Sequence, residues 1–195
     1  MEKRVKEKIA SLDPKIRRKI ENLFQNMNES ISLLYDIATT DEKTGLYNNK
    51  FFQDALTMEI EKAKRGKQKL SLILTDIDFF KKINDTYGHM KADDLLFRLA
   101  KVIKKQIRIS DIAARFGGEE FIILLPETSL EKAKKLSVRL RNAVHKDPTL
   151  KKYGLTVSGG ITQFKIKDNK KTFKSRADKA MYKAKKTGRD KFVFL

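Results

Sequence analysis

Two stretches gather carboxylates beside apolar runs. In RFGGEEFIILLP, residues 115–126, two glycines and two adjacent glutamates precede an unbroken apolar segment of the kind that forms a buried strand. In LTDIDFFKKINDTYGHMKADD, residues 74–94, Asp76 and Asp78 stand two apart at the end of another apolar run. If that strand continues through them, both project from the same face. Like charges at strand ends repel each other, and burial raises the cost, so a cation has to offset them. Magnesium suits such a place because it takes few carboxylates together with phosphate oxygens and water. If the two strands are neighbours, Asp76 and Glu119 can hold one or two Mg²⁺ between them, the arrangement of a two-metal site for nucleotidyl transfer. The spacing by itself fits a plainer role equally well, that of loop carboxylates capping the next helix.

The elements that must position these residues can be read along the chain. Its 195 residues suit one domain of ordinary size plus an extra element. With 40% hydrophobic and 35% charged residues, the composition is that of a soluble globular protein. No apolar run approaches the roughly 18 residues that span a bilayer, so no membrane segment is expected. The N-terminus lacks the apolar core of a signal peptide, and the absence of cysteine excludes disulfides and thiolate metal sites. Together these features favour a cytoplasmic location. A net charge of +19 and a pI near 9.9 fit either an anionic partner or a lysine-rich solvated surface. The lysines are spread through every helix, and no nucleic-acid docking motif accompanies them, so no nucleic-acid partner is expected.

Residues 1–12 read as charged and frayed. A helix then starts with Asp13 as N-cap and Pro14 at its first position. Ile16, Leu23, Ser30 and Ile37 recur every seven residues, as do Ile20, Met27 and Leu34, and the two series are offset in the a/d manner of a coiled coil. Residues 1–40 are therefore expected to form a helical stalk, either a parallel dimer or an amphipathic helix packed on its own domain. Beyond it, helices are expected at 50–67, 93–108, 129–146 and 172–188, with Ser129 capping the third and Gly188 closing the last. Strands are expected at 70–78, 111–116, 120–126, 154–164 and 191–195, the second and third forming a hairpin about Gly117-Gly118 and the fourth bulged at Gly159-Gly160. This alternation predicts an α/β (α+β) sandwich: a mixed central sheet flanked by helices, with the hairpin as its antiparallel part.

DEKTGLYNN, DIDFFKKINDTYGH, RFGGEEF and ADKAMYKAKKTGRD occur in one order and at one set of spacings. In this the chain resembles the GGDEF family of diguanylate cyclases over residues 41–195. The resemblance implies a mixed-sheet catalytic domain like that of adenylate cyclases and the polymerase palm. It further implies condensation of two GTP into cyclic di-GMP with release of pyrophosphate, one GTP being held by each subunit of a homodimer. By position, Asp76, Glu119, Glu120 and the Ile77 carbonyl are implied as ligands of Mg²⁺, with Mn²⁺ as the other candidate. Glu119 is also implied as general base for the ribose 3′-hydroxyl. Gly117 and Gly118 would let the hairpin backbone approach the α-phosphate.

Asn84 and Asp93 match the family's guanine readers, and His89, which fits the family's GH, is expected with them lining the base pocket. Lys81, Lys185 and Arg189 match residues that bind the triphosphate, Lys81 being best suited to stabilise transition-state charge. Phe79 and Phe80 are expected beside the site. Arg108 and Asp111 of RISD, joined by Arg139, match the site at which cyclic di-GMP inhibits its own synthesis. Departures from the family's usual residues are Lys43 for Leu, Asn49 for Arg, Ala92 for Gly and Asp190 for Asn. Readings from other classes are a non-catalytic cyclic di-GMP receptor using the RISD site, a nucleic-acid-binding protein suggested by charge alone, and a cyclase making adenine-containing dinucleotides, which Asp93 disfavours.

Overall fold

The computed structural model describes residues 12–195, so the frayed stretch expected at 1–12 lies almost wholly outside the described residues. The chain divides into two units, the second running from Thr40 to Leu195. In the first, helix α1 spans Pro14–Thr39. Asp13 caps it as expected, its Oδ1 accepting from the backbone N–H of Lys15 at 2.8 Å and of Ile16 at 3.4 Å. Ile16, Leu23, Met27, Leu34 and Ile37 of the heptad stripe all have their side chains exposed.

The second unit is built on a five-stranded sheet of order β2-β3-β1-β4-β5. Its strands are β1 (Leu70–Ile77), β2 (Ile112–Arg115), β3 (Glu120–Pro126), β4 (Val157–Gln163) and β5 (Phe192–Phe194). The sheet is mixed, but antiparallel pairing extends well beyond the hairpin: β1 is antiparallel to both β3 and β4, and only β4 and β5 pair in parallel. The cause is topological. Helical crossovers do join parallel strands here, from β1 to β2 and from β3 to β4, but each leaves room for one antiparallel strand between them. Alternation of strand and helix in a sequence gives strand direction without giving adjacency.

Helices cover both faces: α2 (Asn49–Gly66), α3 (Phe80–Gln106), α4 (Leu130–Lys146), the short α5 (Pro148–Lys152) and α6 (Lys170–Lys186). Period-two alternation sorts the strand residues between them. Leu70, Leu72, Leu74, Ile122 and Leu124 pack with Phe52, Leu56 and Ile60 of α2 and with Phe173 and Met181 of α6. Ile73, Ile77, Phe121, Ile123 and Ile161 pack with Leu95, Leu99 and Ile103 of α3 and with Leu140 of α4. Side-chain caps set three of the starts: Asn48 for α2, Ser129 for α4, and a capping box of Asn169 and Thr172 for α6. At the end of α6 the cap is Thr187, and Gly188 follows at φ 110°, the left-handed position that favours glycine there.

Two expectations are corrected. The helix expected at 93–108 begins thirteen residues earlier, at Phe80, and is interrupted at Gly88, whose φ of 79° and ψ of 162° are not helical. The first part is polar, and the break masks its periodicity. Ala92 lies past the break, helical and buried, so alanine fits without backbone strain. The bulge expected at Gly159-Gly160 is absent, since both residues pair in register with Thr75 and Leu74. Packing requires them instead. A Cβ on Gly160 would lie 1.9 Å from the carbonyl oxygen of Ala177 and 2.4 Å from the backbone nitrogen of Met181. Helix α6 therefore rests directly on the backbone of β4. Gly160→Ala is expected to destabilise the domain by about 3 kcal/mol or more, because backbone must shift to make room, and urea unfolding of the two proteins checks this.

Candidate active site

Asp76 and Glu120 are direct partners in the β1–β3 ladder. Cross-strand partners share a face, so the apolar runs bring these two carboxylates together at the mouth of the sheet. The pairing continues one step further, the Ile77 N–H donating to the Glu119 carbonyl at 3.3 Å. Asp76 is buried, and Lys185, in the last turn of α6, places its Nζ 2.8 Å from the Asp76 carboxylate. Burial raises the Asp76 pKa most; the hydrogen bond and charge of Lys185 oppose the rise, while Glu119 and Asp78 add to it. Glu120 is raised likewise, first by burial and then by Asp76, with Asp178 and Glu119 contributing and Lys185 opposing. The site is thus short of positive charge, with one lysine as its main counter-charge.

Among the described residues, no three Asp, Glu or His side chains converge as a ready-made metal cage. Two crowded carboxylates with a neighbouring one and a nearby carbonyl still fit magnesium, which completes its shell with phosphate oxygens and water.

Asp78 lies just beyond the strand, close enough for its charge to act on Asp76, and its carboxylate is taken up by hydroxyl and backbone donors. The strand ends at Ile77, and the buried Asp78 carboxylate accepts from Ser158 Oγ and Thr156 Oγ1, each at 2.7 Å, and from the Asp190 N–H at 3.1 Å. It ties the end of β1 to the start of β4 and to the segment after α6. Asp190, one of the departures, is held in turn by Arg141 and His145.

The glycine hairpin is braced by a residue the motif reading passed over. The Arg115 guanidinium donates to the Gly118 carbonyl at 2.7 and 3.0 Å and reaches Asp41 at 3.3 Å. Asp41 also accepts from the N–H and hydroxyl of Thr44, at 3.0 and 2.6 Å, in the turn that opens the domain. The spacing of Asp and Thr in DEKTG was the available signal, since short polar side chains at that separation close turns. Neither hairpin glycine has positive φ. A Cβ on Gly118 would meet open space, and one on Gly117 only the flexible tip of Glu120, at 2.9 Å. The fold therefore does not demand glycine at 118.

The other expected site residues fall into groups. Asn84, in α3, has its side-chain oxygen 3.1 Å from Nδ1 of His89 across the Gly88 break. An amide oxygen only accepts, so Nδ1 is the donor and the Asn84 amino group stays directed elsewhere. Asp93 pairs with Lys43 at 2.8 Å. Lys81 is exposed in the first turn of α3. The Arg189 guanidinium lies 4.2 Å over the ring of Phe79, which is exposed. Phe80, expected beside the site, is buried in the core. Arg108 and Asp111 close a turn, the Arg108 N–H donating to Asp111 Oδ2 at 2.8 Å. Arg108 and Arg139 both act on the Asp111 charge, so the three lie together, with Arg139 anchored on Gln106.

A mixed sheet with a glycine hairpin beside paired carboxylates defines the class. Residues 38–191 match the family model described as diguanylate cyclase, GGDEF domain. The chain belongs to the GGDEF family. It is 42% identical over 157 residues to diguanylate cyclase DgcP of Pseudomonas aeruginosa, covering 79% of this chain and 23% of that protein. It is 40% identical over 168 residues to diguanylate cyclase A of Treponema denticola, covering 82% and 45%. The chain thus spans less than half the length of these curated relatives. Among solved structures, the coiled coil and GGDEF domain of DgcB from Caulobacter crescentus, in complex with c-di-GMP, superposes with a TM-score of 0.83 at 29% identity, covering 91% of this chain and 96% of that one.

Two measurements test this geometry. Because the folded pKa of Glu120 lies above its unfolded value, its ionisation opposes folding. That penalty is absent below the unfolded carboxylate range and complete once pH has risen past the folded value. Glu120→Gln should therefore be more stable than wild type at neutral pH without metal, with the advantage vanishing as pH falls below about 4, as read from melting temperature against pH. Gly118→Ala should change stability by less than about 0.5 kcal/mol while lowering turnover of a nucleotide substrate at least tenfold, as read from paired unfolding and rate assays.

Proposed function

We propose that this chain is a diguanylate cyclase, condensing two GTP into cyclic di-GMP with release of two pyrophosphates. The observation that carries the reading is the pairing of Asp76 with Glu120 at the strand ends, beside a hairpin glycine the fold does not require, in a member of the GGDEF family. Asp76, Glu119, Glu120 and the Ile77 carbonyl would hold Mg²⁺ or Mn²⁺. Such an ion, when bound, lowers the pKa of a coordinated hydroxyl and offsets charge on phosphate oxygens. The protein's own groups do the rest. Glu119 takes the proton from the ribose 3′-hydroxyl. Gly117 and Gly118 admit the α-phosphate close to the backbone. Lys81, Lys185 and Arg189 hold the triphosphate, Lys185 exchanging its bond to Asp76 for phosphate oxygens and Arg189 being presented by the Phe79 ring.

Asn84 and Asp93 read guanine. The carboxylate accepts from N1–H and the 2-amino group, while the Asn84 amino group, oriented by His89, faces N3. Each 3′-oxygen attacks the α-phosphate held by a second copy, so the reaction needs a two-fold homodimer. The stalk of residues 1–40 supplies it as a parallel coiled coil through the exposed heptad stripe of α1, leaving 41–195 as the catalytic domain. Arg108, Asp111 and Arg139 bind cyclic di-GMP and restrain the enzyme; the DgcB relative was solved in complex with c-di-GMP. GTP as substrate places the domain on the cytoplasmic side.

Incubation of the purified protein with GTP and Mg²⁺ tests this. Wild type should release cyclic di-GMP, with a rate per molecule that rises with protein concentration. Asp76→Ala and Glu119→Ala should be at least about a hundredfold slower. Absence of product at every protein concentration, with cyclic di-GMP binding that Arg108→Ala abolishes, would make the chain a receptor instead.

A further inference from the structure

Lys43 has no part in the activity described above, yet the structure sets it against Asp93. It sits in a built turn. Asp41 accepts from the N–H of Thr44 and of Gly45, and Arg115 anchors Asp41 to the catalytic hairpin. From that turn the Lys43 ammonium reaches both oxygens of Asp93, at 3.0 and 2.8 Å, across fifty residues of sequence. The two side chains are 45% and 41% exposed. An ion pair so open to water contributes little to stability, so the fold gives no reason for it. The same openness leaves both groups available to a ligand.

We infer that Lys43 is a specificity residue of the base site, donating to the 6-oxo group of guanine while Asp93 accepts from the neighbouring ring N–H and amino group. This rests on the reading of Asp93 as a guanine contact. A carboxylate has about four acceptor positions, so Asp93 can keep Lys43 and still take two N–H bonds from a base. Together the pair presents one donor beside two acceptors. Guanine offers the complement in sequence: O6, N1–H and the 2-amino group. Adenine offers an amino group toward the ammonium and a bare nitrogen toward the carboxylate, so both contacts fail. Polar groups left unmatched in this way are what reject a wrong base.

The test is equilibrium binding, by calorimetry with Mg²⁺, of GDP and 6-thio-GDP, in which a weakly accepting sulfur replaces the oxygen at position 6. Wild type should bind GDP about tenfold more tightly than 6-thio-GDP. Lys43→Leu should bring that ratio close to one, and Lys43→Arg, which keeps a donor, should restore most of it. An unchanged ratio in Lys43→Leu would overturn the assignment. So would tighter GDP binding by Lys43→Leu, which would make Lys43 a competitor for Asp93. Asp93→Ala separates the two readings. If it weakens GDP while Lys43→Leu leaves the ratio intact, the Lys43 role alone falls. If it leaves GDP affinity unchanged, Asp93 does not read the base and both fall.

Discussion

Crowded carboxylates at the end of a buried strand are the constraint on which the site depends. Asp76 and Glu120 face each other across the β1–β3 ladder because the apolar runs on either side fix that register, and a slip of one residue would turn every core side chain outward. The core therefore enforces an arrangement that electrostatics opposes. Lys185 offsets part of the repulsion, and helix α6 can deliver it only because Gly160 lets that helix lie on β4. On the proposed function, metal and phosphate would take over from the lysine, and the crowding that opposes folding would favour binding.

Around this pair the second unit is braced by polar groups that touch no expected substrate. Asp78 joins β1, β4 and the Asp190 segment through three hydrogen bonds. Arg115 fastens the hairpin at Gly118 to Asp41 and so to the turn that carries Lys43. The hairpin and the Lys43–Asp93 pair are thereby linked by a short chain of charge-assisted contacts, which are stronger and more directional than neutral ones. The Gly88 break serves the same end: it lets His89 turn back on Asn84 and fix the direction of that amide.

Much of this was legible in the sequence, for identifiable reasons. The apolar runs of β1 and β3 declared themselves, as did the caps Asp13 and Ser129 and the hairpin about Gly117-Gly118, because each follows from local chemistry. The site carboxylates were legible from their places at strand ends and from the family motifs. What escaped depended on contacts distant in sequence. Strand adjacency is not encoded in alternation, so the antiparallel β1–β4 pair was missed. Gly159 and Gly160 suggested a bulge, because a sequence does not show a helix pressing on a strand. Asp78 was read only by its spacing from Asp76, and its partners Thr156, Ser158 and Asp190 lie about 80 to 110 positions away. Phe80 lay next to the site in sequence but is buried in the core. Lys43 stood out only as an unusual residue, and its partner lies fifty positions away.

The most direct test of this account is a carboxyl-carbon NMR titration of Glu120 with pH, in the free protein and with Mg²⁺ and GDP. The account predicts a raised pKa in the free protein that falls when metal and nucleotide are added, together with loss of the Lys185–Asp76 contact. A Glu120 carboxyl that titrates at its ordinary value and ignores both additions would contradict it, for the paired carboxylates would then be neither crowded nor a metal site.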